Sequence, residues 1–458
     1  METERTLAQF VSDTEFADLP QEPLHVIKNV VLTTLGTTMA GATREGCEAV
    51  VNQVKEWGGK EEATILIHGG KVPAYNAAFA NSFMARALDI DDAMFPGMHL
   101  GSSSVPAALA TAELAGGCSG KEFLTALVLG HEIASRINSV SDYDGFDPTG
   151  VCTIFAAATV AGKILRLNST QMLDTLALAF NKSGGSFQCN VDGALAVRAI
   201  QGFVAQGGII SAQLAQKGIN GPKNFIDGVH GYFHLYAKDK YNSAALTDKL
   251  GQRFEVSTKT LFKKYPSCAA TAGSINAILD LIREKNLTPE GVTRIDIRVT
   301  PFPSVYKLVG HQFEIGQNPR ISAQFNIQYC VANALLRKSS RLQHFEESQI
   351  REPRIMELTR KIHVAPDPAL DLGRPEFHLR TDMKVTTTGG DVYHKVVDIP
   401  RGAPGNPMTS EEHQECFRDY VNYAGKPLPS ENVDKIVSMV GRLEEVEDVC
   451  TLIPLLLA

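Results

Sequence analysis

Residues 107–124, AALATAELAGGCSGKEFL, and residues 156–173, AAATVAGKILRLNSTQML, decide the fold class. At an offset of 49 residues, Ala107, Ala108 and Ala112 answer to Ala156, Ala157 and Ala161, Glu122 answers to Gln171, and Leu124 and Leu127 answer to Leu173 and Leu176. Each copy reads as an alanine-rich helix, a short turn and a second helix opened by a capping signal. In Ser119-Gly120-Lys121-Glu122 and Asn168-Ser169-Thr170-Gln171, the first side chain accepts an orphan backbone N–H and the last reaches back. The pattern predicts two helical hairpins in one bundle, with small residues letting the helices approach closely. Two copies are too few for a solenoid.

Outward from this pair, apolar residues recur every three or four positions from about residue 5 to 255, as in LHVIKNVVLTTLGTTMAG (24–41) and EFLTALVLGHEIASRI (122–137). The character changes near residue 256. After a helical stretch, SCAATAGSINAILDLIREKN (267–286), Ile295, Ile297 and Val299 alternate in RIDIRVTP as a half-buried strand does. KIHVAP (361–366) reads as a short strand, and EFHLRTDMKVTTTGGDVYHKVVDIP (376–400) as a hairpin turning at Gly389-Gly390. Thr409-Ser410-Glu411-Glu412 is a further capping box that returns the chain to helix. The fold class expected is mainly α: a large all-helical domain over 1–255, a smaller α+β lid over 256–401 inserted before the C-terminal helices, and 402–458 completing the helical domain. Clefts between such domains are common ligand sites.

The 458 residues are 44% hydrophobic and 21% charged, enough apolar material for a sizeable core, and carry a net charge of −7. That balance, with no Lys/Arg-rich run, argues against a nucleic-acid partner. The acidic start METERTLAQFVSDTEFADLP lacks a signal or transit pattern, so a cytoplasmic location is expected. No apolar run reaches the roughly 18 residues that span a bilayer, so no membrane association is expected, and TLIPLLLA at 451–458 reads as the edge of a packed or subunit-contacting helix. Cys47, Cys118, Cys152, Cys189, Cys268, Cys330, Cys416 and Cys450 lie far apart, without the C-x-x-C spacing of a zinc or iron–sulfur site, and read as reduced, mostly buried thiols.

The densest polar feature is ALDIDDAMFPGMHLGSSSVPAALATAEL (87–114). On a helix, Asp89 and Asp92 share a face while Asp91 turns away. Phe95-Pro96-Gly97 breaks that helix, His99 sits in the loop beyond, and a new helix starts around Val105-Pro106 behind Ser102, Ser103 and Ser104. The unpaired N–H groups of such a helix start favour an anion, such as a substrate carboxylate. An acid, an imidazole and an anion-binding helix end thus converge within about twenty residues. The competing readings are a solvated helix end with a satisfied loop histidine, and a metal site, which lacks a second histidine nearby.

With this segment, LTTLGTTMAG, EFLTALVLGHEIASRI, GPKNFIDGVHGYFHLY, FKKYPSCAATAG and GNPMTSEE in order along the chain, the sequence resembles the MmgE/PrpD family, which contains 2-methylcitrate dehydratase, cis-aconitate decarboxylase and iminodisuccinate epimerase. The resemblance covers essentially the whole chain. It implies a large helical domain with an α+β lid, a homodimer, and small carboxylic acid substrates handled without metal or organic cofactor.

Carried over position by position, the family's acid falls on Asp89, with Asp91 and Asp92 completing its D-x-D-D pattern, and its histidine falls on His99. Its lysine falls on Lys263 or the adjacent Lys264, and a pocket tyrosine of the decarboxylase branch falls on Tyr306. In catalytic roles the resemblance places Asp89, Asp92, His99, Lys263 and Tyr306. In substrate binding the residues expected are Asp91 and Lys264 from the resemblance, Ser102 and Ser103 from the helix start, and Asp147 and Arg198 where the chain departs from the family pattern. Three departures set this chain apart. Val197 stands where relatives carry a lysine, leaving Arg198 as the nearest cation; Asp147 stands where the decarboxylase branch has a histidine; and Ala93 replaces a threonine hydroxyl. They make cis-aconitate and 2-methylcitrate poor specific expectations.

Chemistry shared across the family forms or collapses a carbanion next to a carboxylate, which needs a base, an acid and fixed positive charge. The function expected is a cofactor-independent lyase on a small di- or tricarboxylic acid, dehydration first, with decarboxylation or epimerisation open and a non-catalytic ligand-binding role as the alternative from another class.

Overall fold

The computed structural model describes residues 2–95, 97–301, 303–373 and 378–458. The chain first forms helices α1 (Glu2–Asp13), α2 (Gln21–Gly41), α3 (Cys47–Trp57), α4 (Ala74–Ala85), α5 (Gly101–Ala115), α6 (Gly120–Ser139), α7 (Ile154–Ile164), α8 (Ser169–Phe180) and α9 (Ala196–Gln216). The expected hairpins are α5–α6 and α7–α8. Both second helices carry the capping box: Ser119 Oγ accepts the Glu122 N–H at 3.3 Å and Asn168 Oδ1 that of Gln171 at 3.0 Å. Small residues draw the helices together. A Cβ on Gly130 of α6 would lie 2.8 Å from the Ala156 carbonyl of α7, which is why α7, buried almost all round, can sit at the centre. The helical region is not wholly helical, since Ala63–Thr64 (β1) pairs antiparallel with Lys71–Val72 (β2).

A buried ion pair ties α6 to the end of this region. Glu132 and Arg136, 2.6 Å apart, are both buried. Glu132 accepts the Glu255 N–H at 2.6 Å, and Arg136 donates to the carbonyls of Leu246, Asp248 and Arg253. Four acceptors around one guanidinium and two donors on one carboxylate offset the cost of taking the pair out of water.

Two compact units result: residues 1–260 with 413–458, and residues 261–412. The segment 402–412, expected with the C-terminal helices, packs in the second unit, where the Gly402 carbonyl accepts the Phe262 N–H at 2.9 Å and Glu412 accepts from Arg401 at 2.6 Å. The second unit holds helices α10 (Ala272–Lys285) and α11 (Ile327–Arg337) against the strands β3 (Val292–Val299), β4 (Ile362–Pro366), β5 (Thr381–Thr387) and β6 (Val392–Val397), in the order β4-β3-β5-β6. β3 pairs parallel with β4 (Ile295 opposite Ile362) and antiparallel with β5 (Ile297 opposite Met383). Ile295, Ile297, Met383 and Val385 turn inward, the predicted alternation. The β5–β6 hairpin turns at Gly389-Gly390 as expected; Glu376 and Phe377, at the start of the stretch read as that hairpin, lie outside the described residues.

The first unit is completed by α12 (Ser410–Tyr423), opened by the Thr409–Glu412 capping box, by α13 (Ser430–Gly441), and by a 3-10 turn over Val449–Leu456 whose Leu452, Ile453 and Leu456 are buried. Ile67, held at φ +66° despite its branched side chain, donates its N–H to Leu456 there. No helix among the described residues is long and apolar enough to cross a membrane.

Candidate active site

Helix α4 stops short of the acids. Arg86 caps it, and Asp89 follows in the left-handed conformation at φ +54°, which a short polar side chain tolerates better than most. The helix expected to carry Asp89 and Asp92 on one face is therefore a tight turn. Asp91, expected to point away, is instead the fully buried centre of the cluster. Its Oδ2 accepts the Ser102 hydroxyl, while its Oδ1 lies 3.4 Å from Arg86 Nη1 and 3.2 Å from His99 Nδ1. Arg86 Nη1 also donates to Asp89 Oδ1.

Helix α5 begins at Gly101, earlier than expected, so the three serines form its first turn and Pro106 lies inside it. The anion at its start is the protein's own. Asp92 accepts the Gly101 N–H on both oxygens, at 3.0 and 3.2 Å. The expectation that this end receives a substrate carboxylate is corrected by that bond. Ser102 and Ser103, both fully buried, donate to Asp91 and to Gln201. In the turn expected to break the helix, Pro96 lies outside the described residues, Phe95 is exposed and Gly97 is at φ +140°.

His99 is held by its backbone from two helices. Its N–H donates to Thr149 Oγ1 at 3.2 Å, and its carbonyl accepts from Gln201 Nε2 at 3.3 Å and Thr153 Oγ1 at 3.4 Å. Thr149–Thr153 is one π-helical turn, a form frequent at functional sites. The ring orientation follows from one contact. Nδ1 lies 2.9 Å from the Asp92 carbonyl, which can only accept, so Nδ1 carries a hydrogen and the neutral ring has its lone pair on Nε2. Nε2 lies 3.9 Å from Asp89 Oδ1, beyond hydrogen-bond range. Asp89, with a side chain 17% exposed against 0% for Asp91, marks the open edge of the cluster.

Electrostatics separate the acids. Burial and the neighbouring Asp91 push Asp92 up to about 7, opposed by the Gly101 N–H. Arg86 is raised, Asp89 and Asp91 overcoming its burial. Burial, with Asp91 contributing, keeps the Tyr420 hydroxyl of α12 protonated. Asp89, Asp91 and His99 bring ligand-type atoms within 4.8 Å of one another, a spacing a divalent ion accepts. The Arg86 guanidinium already lies against both carboxylates, however, and would face such an ion as a fixed like charge.

The remaining predicted residues divide between the units. Asp147 is buried, with Oδ1 accepting the Thr149 N–H at 2.8 Å and Oδ2 accepting from Asn190 at 3.1 Å, and its charge is felt by Arg86. Arg198 donates to the Glu45 carbonyl. Lys263, Lys264 and Tyr306 belong to the second unit. There Lys263, 8% exposed, lines a small cleft of about 10 Å³ with Lys264 and Arg401; Lys264 lies 3.6 Å from Glu412. The Tyr306 hydroxyl donates to the Val364 carbonyl at 3.4 Å. Sequence reasoning missed Arg86, Thr149 and Gln201. Arg86 had a signal, being the one charge between an alanine-rich helix and three aspartates.

The profile of the MmgE/PrpD N-terminal domain matches residues 5–244, and that of the MmgE/PrpD C-terminal domain matches residues 265–441. Human cis-aconitate decarboxylase is 26% identical over 446 residues, covering 94% of this chain and 89% of the human protein. The mouse cis-aconitate decarboxylase is 25% identical with similar coverage. The cis-aconitate decarboxylase-like protein oryM of Aspergillus oryzae is 24% identical over 472 residues, covering 98% of this chain and 96% of that protein.

Proposed function

The chain belongs to the MmgE/PrpD family, and from that premise we propose that it is a lyase acting on a small di- or tricarboxylic acid through a carbanion, without a metal or organic cofactor. The observation that carries this reading is the state of His99. With Nδ1–H directed at the Asp92 carbonyl and Asp91, the ring offers one basic nitrogen, Nε2, toward the open Asp89 edge. A proton taken there makes an imidazolium whose charge Asp91 stabilises at 3.2 Å. Arg86 pairs with both acids and holds them in place. Because Asp92 occupies the start of α5, a substrate carboxylate needs side-chain cations instead, and Lys263, Lys264 and Arg198 are the candidates.

The names of the curated relatives favour decarboxylation, in which loss of CO2 leaves the carbanion and a protonated His99 delivers the replacing proton. Dehydration, first in the sequence reading, uses the same group in the reverse order: Nε2 removes the carbon-bound proton, and the imidazolium returns it to the departing hydroxyl. Val197 and Asp147, which differ from the family pattern, argue for a substrate other than cis-aconitate. A homodimer is part of the proposal, supported by Phe203 and Leu214, exposed 11 residues apart and so on one face of α9.

The test is incubation with a panel of di- and tricarboxylates in deuterated water, followed by NMR. A new alkene signal marks dehydration, a lost carboxyl marks decarboxylation, and deuterium at a stereocentre without net change marks epimerisation. His99→Ala is expected to abolish turnover in a folded protein, and Lys263→Ala to raise KM. A panel without reaction or exchange, or full activity in His99→Ala, would leave the ligand-binding alternative standing.

A further inference from the structure

Tyr232, in the segment GVHGYFHLY (228–236), is buried, its ring centred 5.9 Å from that of Phe155 and 5.2 Å from that of Tyr236. Its hydroxyl meets Ser141 Oγ at 2.6 Å and Cys152 Sγ at 3.2 Å. The hydrogens of this cluster can be assigned. Ser141 gives its only one to the Ile137 carbonyl, which can only accept, at 2.8 Å. The Ser141 oxygen is left to accept from Tyr232, and the Tyr232 oxygen to accept from the thiol. Tyr143, whose hydroxyl is 3.8 Å from the same sulfur, gives its hydrogen to Asn138 Oδ1. Cys152 is therefore a donor, the role that burial also favours by pushing its thiol up. The chain of hydrogens runs one way, from Cys152 through Tyr232 and Ser141 to the Ile137 carbonyl.

Cys152 belongs to the π-helical turn Thr149–Thr153. From that turn Thr149 Oγ1 accepts the His99 N–H at 3.2 Å, and Thr153 Oγ1 donates to the His99 carbonyl at 3.4 Å. The π and α forms turn side chains by different amounts per residue, so a slip of this turn into the commoner α form would carry both threonines off His99. The same cluster also holds the chain ahead of His99, since Asn138, which takes the Tyr143 hydrogen, donates from Nδ2 to the Phe95 carbonyl at 3.0 Å. We propose that Tyr232 is a positioning residue for His99: its hydroxyl accepts the Cys152 thiol and so fixes the π turn whose threonines grip the His99 backbone. The proposal rests on the reading of His99 as the group that transfers the proton. Tyr232 acts on it through the backbone, which sets where the ring stands against the Asp92 carbonyl.

The experiment is amide hydrogen exchange together with nitrogen-15 NMR of the histidine rings, on the full chain without substrate, the His99 ring being identified by its loss in His99→Gln. Tyr232→Phe keeps the packed ring and removes the hydroxyl. The His99 amide is expected to exchange about tenfold faster, the worth of one hydrogen bond, while the amides of α8 keep their wild-type rates. The ring, a single Nδ1–H tautomer in wild type, is expected to show the Nε2–H form as well. Cys152→Ala should do the same, the double variant no more than either, and Cys152→Ser, which keeps a donor, should behave as wild type. If Tyr232→Phe does not fold, the two cysteine variants give the same reading. A His99 amide at the wild-type rate, a ring still in one tautomer, additive effects in the double variant, or all amides accelerating alike overturns the proposal. A wild-type ring without a proton on Nδ1, or an inert wild type in the deuterium experiment, overturns the reading of His99 instead and leaves the amide rates to judge the link to Tyr232.

Discussion

Asp92 closes the start of the helix that Gly101 opens, taking the Gly101 N–H on both carboxyl oxygens at 3.0 and 3.2 Å. No larger residue fits at 101, because a Cβ there would lie 2.2 Å from Asp92 Oδ1. The helix dipole and its first free amide are thereby spent inside the protein.

The raised value of Asp92 has a thermodynamic signature. Between its ordinary 3.8 and about 7 the folded protein binds a proton that the unfolded chain has released. Stability therefore falls as pH rises through that window and levels off above about 7. Asp92→Asn keeps an acceptor for the Gly101 N–H and removes the titration. Urea unfolding from pH 4.5 to 8 is expected to show the variant gaining on wild type by roughly 2–4 kcal/mol across the window. A stability difference that does not change with pH would refute this.

Arg86 is the buried cation of the cluster. Arg86→Met leaves Asp91 buried beside Asp89 and Asp92 without its guanidinium, and the expected loss is roughly 3–5 kcal/mol in stability with at least a hundredfold fall in kcat. Arg86→Lys keeps the charge but loses the planar fork, so it is expected to recover much of the stability and little of the turnover. Chemical denaturation and steady-state kinetics on the same samples separate the two. Wild-type kcat in Arg86→Met would remove Arg86 from the site.

Gln201 tests whether His99 is aimed from a distance. It donates to the His99 carbonyl and accepts from Ser103 without facing the open edge. Gln201→Leu is expected to cost about 1–3 kcal/mol, since the Ser103 hydroxyl loses its partner. It should also lower kcat about 10- to 100-fold, as small displacements of a reacting group do, while KM stays within a few-fold. A rise in KM at constant kcat would instead place Gln201 in binding.

The Glu132–Arg136 pair serves structure. Burial raises Glu132, and Arg136 with the amides of residues 255 and 256 pulls it back. Glu132→Gln strips the countercharge from a buried arginine, for an expected loss of about 3–5 kcal/mol. Limited proteolysis should show earlier cleavage within 246–256, where that arginine gathers its carbonyls. Equal cleavage rates in variant and wild type would contradict the stapling role.

What was legible in the sequence is what repeats locally. The Ser119 and Asn168 caps, the alternation of Ile295, Ile297 and Val299, and the turn at Gly389-Gly390 each declare themselves within a few residues, because backbone geometry ties spacing to face. The acids and His99 were visible as a dense polar run. Their orientation was not. Helical periodicity assigned Asp91 to the far side, since nothing local announces that Asp89 enters the left-handed region and turns the chain. Thr149 and Gln201 reach His99 from 50 and 102 residues away, and a single polar residue in an apolar helix carries no mark of its distant partner.

The larger unit is discontinuous, made of residues 1–260 and 413–458, and that sets an order of events during synthesis. The second unit, 261–412, leaves the ribosome whole and can fold as one piece. The first must wait: the rings of Phe417 and Tyr420, which cover α2 at Gly36 within 3.0 Å of where a Cβ would stand, do not yet exist when α2 and its neighbours emerge. Until they arrive, the face of α2 that those two rings cover has nothing packed on it at Gly36.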